Sequence, residues 1–167
     1  MRFGLLEAHE FKNTRLLNGK KCDELGLRPL QQKWGLGMTT PNDMVRLFEL
    51  IVDGKAGSPA SCDRMLRILT HQYWDDFILS QVPPTVHAAA KSGALDHCRS
   101  DVAVVDSPGG QYILAIFTKE QKDTSWAHTN EGDIAIRTLA RMVWEHYNPD
   151  CPFRPPEGSE ELLPGGK

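Results

Sequence analysis

A short stretch in the second half of the chain combines residue types that can bind a second molecule. Lys91, Ser92 and Gly93 directly follow a run of three alanines, and another small residue comes next. The lysine and the serine bring a cation and a hydroxyl to one place. Glycine leaves the backbone bare, and glycine inside a strand often marks close approach by a ligand or another backbone. The stretch therefore predicts a binding site on a strand-like segment.

The cysteines and histidines, in contrast, show no spacing that is typical of a metal site or a disulfide framework. The four cysteines lie far apart without a CxxC pair, and the six histidines form neither HxxxH nor HExxH. We therefore expect no metal, no cofactor and four unpaired thiols, at Cys22, Cys62, Cys98 and Cys151.

The composition is that of a globular chain with one domain. At 167 residues, with 40% hydrophobic residues and a net charge of −3, the chain is long enough to build one core. This charge balance gives no case for nucleic acid or an anionic membrane as the main partner. No apolar run approaches the roughly 20 residues that cross a bilayer. Residues 1–10 mix acids and histidine with apolar residues, which does not resemble a signal peptide.

Three segments show helix signals. Residues 41–53 begin with a proline after Thr40, and residues 59–71 begin with a proline after Ser58, so both hydroxyl residues are N-cap candidates. Residues 130–147 form a longer amphipathic pattern. The predicted apolar faces are Met44, Leu47, Phe48 and Ile51, then Met65, Leu66, Ile68 and Leu69, then Ile134, Leu139, Met142, Val143 and Trp144.

Three strand-like segments lie between the second and third of these helices, at residues 85–95, 101–106 and 111–119. The Ser-Pro-Gly-Gly stretch at 107–110 predicts a hairpin turn. Because partial alternation of apolar residues suits an antiparallel sheet with a buried face, we predict an α+β fold, an antiparallel sheet with flanking helices.

The remaining segments are predicted to be less regular. Residues 1–16 could hold a short helix, and residues 17–38 lack a clear period and are predicted to form a long loop. Residues 149–167 are rich in Pro, Gly and Glu, which predicts a disordered tail. The predicted domain therefore covers residues 1–148.

The order of elements and the motif at Lys91 resemble the C-terminal half of class A-type serine β-lactamases, a superfamily that includes penicillin-binding proteins. Lys91-Ser92-Gly93 matches the K-[ST]-G motif of that family. The other matching segments are a helix that begins with Thr-Thr-Pro, the sheet, and a Thr-Arg-Leu segment before the Ω-loop, at residues 39–55, 91–119 and 12–17. The resemblance covers roughly residues 4–148 and implies a partial serine β-lactamase/transpeptidase-like fold.

This resemblance implies a role for each residue of the motif. The Lys91 ammonium and the Ser92 hydroxyl would bind the carboxylate of a β-lactam or of a D-alanyl peptide. Gly93 would let the acyl group lie along the strand. The backbone N–H of Ala94 would be one of the two oxyanion-hole donors.

Two other motifs of the family do not occur in this sequence. No Ser or Thr is followed three residues later by Lys, so the S-x-x-K nucleophile is missing, and the nearest pattern, from Ser61, ends in Arg. S-D-N is also missing, since Ser100-Asp101 continues with Val102. In the family, both motifs precede the Thr-Arg-Leu segment.

The glutamate that performs deacylation in class A enzymes has no clear counterpart either. Its position, six residues after the threonine of the Thr-Arg-Leu segment, is occupied by Lys20. Glu24 lies four residues further on and could substitute, whereas Glu7 and Glu10 precede the segment. Without this glutamate, acylation would be followed by slow deacylation, as in penicillin-binding proteins.

The sequence thus predicts a portion of a β-lactamase-like serine hydrolase that acts by acyl transfer on β-lactam amides. We expect the chain alone to be inactive, with the nucleophile supplied from elsewhere. The expected partners are a β-lactam or D-alanyl peptide substrate, and a complementing N-terminal half or a homo-oligomer. Two alternatives stay open. One is a non-catalytic, truncated pseudoenzyme that binds a ligand or partner, and the other is a D,D-peptidase, esterase or glutaminase-like relative. The family is usually periplasmic or secreted, and the localisation of this chain is left open.

Overall fold

The computed structural model describes residue 9, residues 11–17 and residues 20–159, without the side chains of Lys20 and Lys21. Most of the short helix predicted within residues 1–16 lies outside this part of the chain. Also outside it are Glu7, Glu10 and the last part of the predicted tail, residues 160–167.

The described residues begin with short elements and continue with longer helices and strands. The first elements are the two-residue strand β1 (Arg15–Leu16), the short helices α1 (Lys20–Glu24) and α2 (Arg28–Trp34), and strand β2 (Gly37–Met38). Two longer helices follow, α3 (Pro41–Val52) and α4 (Pro59–Leu69), and then a 3₁₀ turn at Leu79–Gln81. The last elements are β3 (Ala88–Leu95), β4 (Cys98–Ser107), β5 (Gly110–Phe117) and helix α5 (Glu131–Tyr147).

Strands β3, β4 and β5 form an antiparallel sheet in that order, with helices on both faces. On one face, Ala103 and Val105 of β4 pack in one buried cluster with Trp144 of α5. On the other face, Val102 of β4 packs in a second cluster with Phe48 of α3. The predicted α+β fold, an antiparallel sheet with flanking helices, is confirmed.

Both N-cap predictions are confirmed. The Thr40 hydroxyl accepts a hydrogen bond from the N–H of Asp43 at 3.2 Å, and the Ser58 hydroxyl accepts one from the N–H of Ser61 at 3.2 Å. Each bond satisfies a backbone donor in the first turn of its helix, which has no partner inside the helix. Local sequence therefore sets where α3 and α4 begin.

Asp43 also connects α3 to the Thr-Arg-Leu segment. The Thr14 hydroxyl donates to Asp43 Oδ2 at 2.6 Å, and the backbone N–H of Asn13 donates to the same oxygen at 3.2 Å. Thr14 and Asp43 are both buried. Hydrogen bonds to a charged acceptor in a buried setting are among the stronger ones, so this contact holds β1 against α3.

The apolar stripe predicted on α5 is wrong for most of its members. The residues that face the sheet are Ile136, Ala140 and Trp144, which recur at intervals of four and are buried. Gly132 continues this row, and a Cβ there would lie 3.0 Å from Cγ of Arg99. The small residues of this row let α5 approach the sheet closely, so this side of the helix packs on the sheet. Three members of the predicted stripe are exposed, namely Ile134, Leu139 and Met142.

The long loop predicted over residues 17–38 is also wrong, because α1, α2 and β2 lie within it. β2 pairs with β1, with Arg15 opposite Met38. Helix α2 buries no side chain, so no apolar period marked it in the sequence. Its first residue, Arg28, instead forms an exposed ion pair with Asp23 of α1.

The described part of the predicted tail contacts the core. The indole N–H of Trp144 donates to the carbonyl oxygen of Cys151 at 3.0 Å. Phe153 packs against the cluster under α5, and Arg154 pairs with Glu145 of that helix. These contacts connect the beginning of the tail to α5, and the disorder of residues 149–167 stays a prediction. The domain boundary at residue 148 stays a prediction.

The described residues contain no helix with the length and apolar character needed to cross a membrane. In the same part of the chain, no three His, Cys, Asp or Glu side chains form a group that could hold a metal ion. None of the four cysteines is in a disulfide.

Candidate active site

The predicted site residues lie on the edge strand of the sheet. Within the described residues, β3 pairs with β4 alone, so its outer edge is unoccupied. Ala89 belongs to the cluster beneath α3 and Ala90 to the cluster beneath α5. Because side chains of a strand alternate between its two faces, the next residues continue this pattern. Lys91 and Gly93 lie on the face of α3 and α4, and Ser92 and Ala94 lie on the face of α5.

The backbone amide of Ala94 points outward from this edge. Its cross-strand partner is Arg99. The Arg99 N–H donates to Thr118 Oγ1 at 2.8 Å, and its carbonyl oxygen accepts from the Thr118 N–H at 2.8 Å. Since both main-chain groups of Arg99 point to β5, Ala94 and Arg99 form a non-hydrogen-bonded pair. The outward Ala94 N–H has the direction that an oxyanion-hole donor needs, and that role stays a prediction.

The Lys91 ammonium is available to an anion. The side chain is exposed, and Nζ donates to the neighbouring carbonyl oxygen of Ser92 at 2.6 Å. Within the described residues, Lys91 forms no ion pair. A carboxylate would give this cation a charge-assisted hydrogen bond, which is about twice as strong as one to a neutral carbonyl.

Glycine at position 93 serves both the strand and its neighbour. A Cβ at Gly93 would lie 3.0 Å from Ser100 Oγ, which is tighter than nine in ten real Cβ contacts. The Ser100 hydroxyl donates to the Gly93 carbonyl oxygen at 3.2 Å. Packing on β4 therefore favours glycine here, in addition to the room it leaves for a ligand.

Two cavities meet at this strand, one on each face of the sheet. The first, which we call the apolar cavity, has a volume of about 450 Å³ and borders Lys91 and Ser92. It is lined mainly by apolar side chains of α3 and α4: Met44, Leu47, Phe48, Ile51, Met65, Ile68 and Leu69. The second, which we call the aromatic cavity, has a volume of about 380 Å³ and opens beside Lys91 to Ala94. Its other walls include Trp74, Asp76 and Trp126.

Arg99, a residue that the sequence analysis missed, is a buried cation beside the aromatic cavity. Its Nε donates to Asp133 Oδ1 at 2.8 Å, and Nη2 donates to the carbonyl oxygen of Ser125 at 2.7 Å. Nη1 donates to the carbonyl oxygens of Leu95 and Cys98. Because each nitrogen of the guanidinium is engaged by protein oxygens, Arg99 does not serve as a second carboxylate anchor. It connects the turn after β3 with the loop before α5.

Asp101 is a second buried charge, opposite Ser92 on β4. Its Oδ2 accepts from the N–H of Ile78 at 2.9 Å, and its Oδ1 finds no partner among the described residues. Burial raises the pKa of Asp101 to about 7, although hydrogen bonds and the charge of Lys91 act in the opposite direction. The signal in the sequence was an acid at the start of an apolar strand, but it was interpreted as a strand boundary.

We predict that Asp101→Asn stabilises the protein progressively as the pH rises. The folded-state pKa of about 7 lies above the ordinary value of 3.8, so the folded state binds more protons between these values. The stability linked to this proton is present at low pH and is lost as the pH rises through that window. Between about pH 5.5 and pH 8, the unfolding free energy of the variant relative to the natural chain should increase by about 2 kcal/mol.

Urea denaturation at both pH values measures this difference. Asp106→Asn is the matched control, because Asp106 is exposed on the same strand and a hydrogen bond from Gln111 lowers its pKa. The control should show no change of this kind, because the lowered pKa of Asp106 lies below this pH range and its carboxyl group is ionised throughout it. A difference for Asp101→Asn that does not vary with pH would contradict the prediction.

Glu24, the candidate for deacylation, is not brought to the site. It is exposed at the end of α1 and lines neither the apolar cavity nor the aromatic cavity. Its role in deacylation therefore gains no support from the fold.

The order of the sheet, the helices on its two faces and the motif on its edge strand define a protein of the β-lactamase/transpeptidase fold class. Comparison with protein-family models leads to the same class. Residues 5–147 match the model of the Beta-lactamase enzyme family, and the chain belongs to this family.

Solved structures confirm the fold. A β-lactamase from Sphaerobacter thermophilus DSM 20745 is 25% identical, with a TM-score of 0.63 over 72% of this chain and 44% of that chain. PBP-A is 23% identical, with a TM-score of 0.68 over 86% and 49% of the two chains. A β-lactamase from Burkholderia vietnamiensis is 17% identical, with a TM-score of 0.68 over 90% and 52%. The chain thus spans about half the length of these structures. No curated protein matched.

Proposed function

We propose that this chain is the substrate-binding portion of a β-lactamase-like serine hydrolase that acts by acyl transfer on β-lactam amides. The observation that carries the proposal is the edge of β3. There, an ammonium that forms no ion pair among the described residues and an outward backbone N–H lie on one strand. Lys91 and Ser92 bind the substrate carboxylate, and Gly93 leaves room for the acyl group. The Ala94 N–H stabilises the oxyanion that forms when a serine attacks the lactam carbonyl.

The nucleophilic serine, in this proposal, belongs to a segment outside this sequence. No Ser or Thr of the chain is followed three residues later by Lys, and the chain spans about half the length of the structures it matches. The apolar cavity supports the same view, because it borders Lys91 and contains apolar side chains that a further helix would cover. Ile68 at its wall is 57% exposed. Each large apolar side chain that becomes fully buried contributes about 1.5–3 kcal/mol to such docking.

A relative supports the reaction class. A mutant of PBP-A, which is similar in fold, was solved as an acyl-enzyme complex with penicillin G. In the present protein, neither cavity beside Lys91 contains a glutamate. We therefore propose that acylation is followed by slow deacylation, so that the acyl-enzyme accumulates.

The test compares this chain alone with the same chain joined to a segment that carries S-x-x-K, taken from the coding sequence upstream. A fluorescent penicillin should label the joined protein on the serine of that motif and should not label the 167-residue chain. A chromogenic cephalosporin should likewise be hydrolysed above background only by the joined protein.

The matched control replaces the serine of S-x-x-K by alanine in the joined protein, which should remove the label without changing the fold. Labelling of any serine in the 167-residue chain alone would show that the nucleophile lies in this sequence. A folded joined protein that takes no label would instead favour the non-catalytic binding protein.

A further inference from the structure

The aromatic cavity contains two large aromatic side chains that the proposed reaction does not use. Trp74 and Trp126 line it from two different loops, and they are 47% and 59% exposed. Burying an aromatic side chain contributes more than burying most others, so two exposed indoles at one cavity leave a large favourable term unused. A ligand that covers both indoles would gain the free energy of removing them from water.

Both indoles are held in place before any ligand arrives. The Trp126 Nε1 donates to Asp96 Oδ1 at 3.3 Å, and the Arg99 guanidinium lies 5.0 Å from the centre of the Trp126 ring. The Trp74 ring packs edge-on against Tyr73, with the ring centres 5.0 Å apart and the planes at 84°. These contacts restrict the side chains in part, which lowers the conformational entropy that binding has to remove.

Asp76 is a polar group of this cavity that the proposed reaction does not use. Its carboxyl group is half-buried and forms no ion pair within the described residues. The other carboxylate at the cavity, Asp133, is already bound to Arg99. Burial raises the pKa of Asp76, whereas the charges of Arg137 and Arg99 act in the opposite direction. A half-buried carboxyl group that no cation contacts directly favours a ligand that brings a hydrogen-bond donor to it.

We propose that the aromatic cavity binds an aryl group that carries a hydrogen-bond donor, with the ring against Trp74 and Trp126 and the donor on Asp76. The cavity volume of about 380 Å³ is within the range of small-ligand sites and exceeds the size of one substituted ring. The backbone of residues 91–94 lines the same cavity. That this aryl group belongs to the substrate rests on the function proposed above, whereas the binding itself does not.

The test uses neutral probes, so that it does not depend on Lys91 or on a reactive serine. The chain is labelled with ¹⁵N, and its four tryptophan indole N–H signals are followed during titration with 4-hydroxyphenylacetamide. The signals of Trp74 and Trp126 should move. The signals of Trp34, on α2, and Trp144, which is buried, should stay and serve as internal controls.

Two further probes separate the ring from the donor. We expect 4-methoxyphenylacetamide, which lacks the donor, to bind about threefold to tenfold more weakly, as the loss of one hydrogen bond implies. Cyclohexylacetamide, which lacks the aromatic ring, should bind more weakly still. Equal affinities for the three probes, or equal shifts at all four indoles, would overturn the proposal.

Variants assign the contacts. Asp76→Ala should abolish the preference for the hydroxyl probe but keep the binding of the methoxy probe, whereas Asp75→Ala, at the exposed neighbour outside this cavity, should change neither. Trp126→Leu should weaken both aryl probes, and Trp34→Leu should not. An unshifted Trp144 signal verifies that each variant is folded. If Asp76→Ala leaves the preference intact, the assignment of the donor to Asp76 is wrong.

Discussion

In the protein completed by its S-x-x-K segment, Lys91→Ala should lower the acylation rate constant for carboxylate-bearing β-lactams by about 10- to 100-fold or more. The loss follows from a charge-assisted contact of about 1.5–3 kcal/mol, and it is larger if the contact strengthens in the transition state. Stopped-flow measurement of acyl-enzyme formation provides the rate constant. Lys91→Arg should restore part of the rate, because a planar guanidinium does not reproduce the contacts of a compact ammonium.

Two comparisons show whether Lys91 is the carboxylate anchor. In Lys91→Ala, the acylation rate constant should fall less for neutral ester substrates that lack the carboxylate than for carboxylate-bearing β-lactams. Lys55→Ala is the matched control, because Lys55 is an exposed lysine outside both cavities and pairs with Asp53. It should leave both rates unchanged. Equal losses for both substrate types, or no loss for either, would mean that Lys91 does not bind the carboxylate.

The second large effect concerns the buried ion pair behind the aromatic cavity. Asp133→Ala should lower the unfolding free energy by about 3–5 kcal/mol, because it leaves the Arg99 guanidinium buried without its counter-ion. Arg99 Nε and Asp133 Oδ1 are 2.8 Å apart, and the two side chains are only 2% and 7% exposed. Chemical denaturation followed by circular dichroism measures the change.

An exposed pair provides the control for this prediction. Asp23→Ala removes the partner of Arg28, and both of these side chains are more than half exposed. Exposed ion pairs contribute little to stability, so the unfolding midpoint should not change measurably. Replacing both Arg99 and Asp133 by apolar residues of similar volume should cost less than Asp133→Ala alone, since no charge then stays buried. If Asp133→Ala is as mild as Asp23→Ala, Arg99 is not held by this pair.

The difference between these two ion pairs is not visible in the sequence. Asp23 with Arg28 and Asp133 with Arg99 are the same residue types, and the exposed pair is the closer one along the chain. The two pairs differ in burial. A buried charge that loses its partner has also lost its hydration, which costs free energy, whereas an exposed charge stays hydrated and loses little. The same holds for Asp101, whose pKa is raised by burial although the hydrogen bond from the Ile78 N–H acts in the opposite direction.

The sequence by itself determined the features that depend on neighbouring residues. Thr40 and Ser58 cap helices because a side-chain oxygen next to a proline start can reach a backbone N–H within the same turn. The strands and their hairpin order follow from alternation and turn residues, which are also local. The Lys91-Ser92-Gly93 motif was recognisable for the same reason, since its residues are consecutive.

The tertiary structure alone decided the features that join distant segments. Helix α5 is apolar on more than one side, and only packing on the sheet selected the row of Ile136, Ala140 and Trp144. Trp74 and Trp126 lie on separate loops and meet at one cavity because the sheet edge brings those loops together. The direction of the Ala94 N–H depends on the pairing register with β4. All three features depend on which surfaces pack against each other in the folded chain. Because these surfaces come from distant segments, a pattern of neighbouring residues does not predict them.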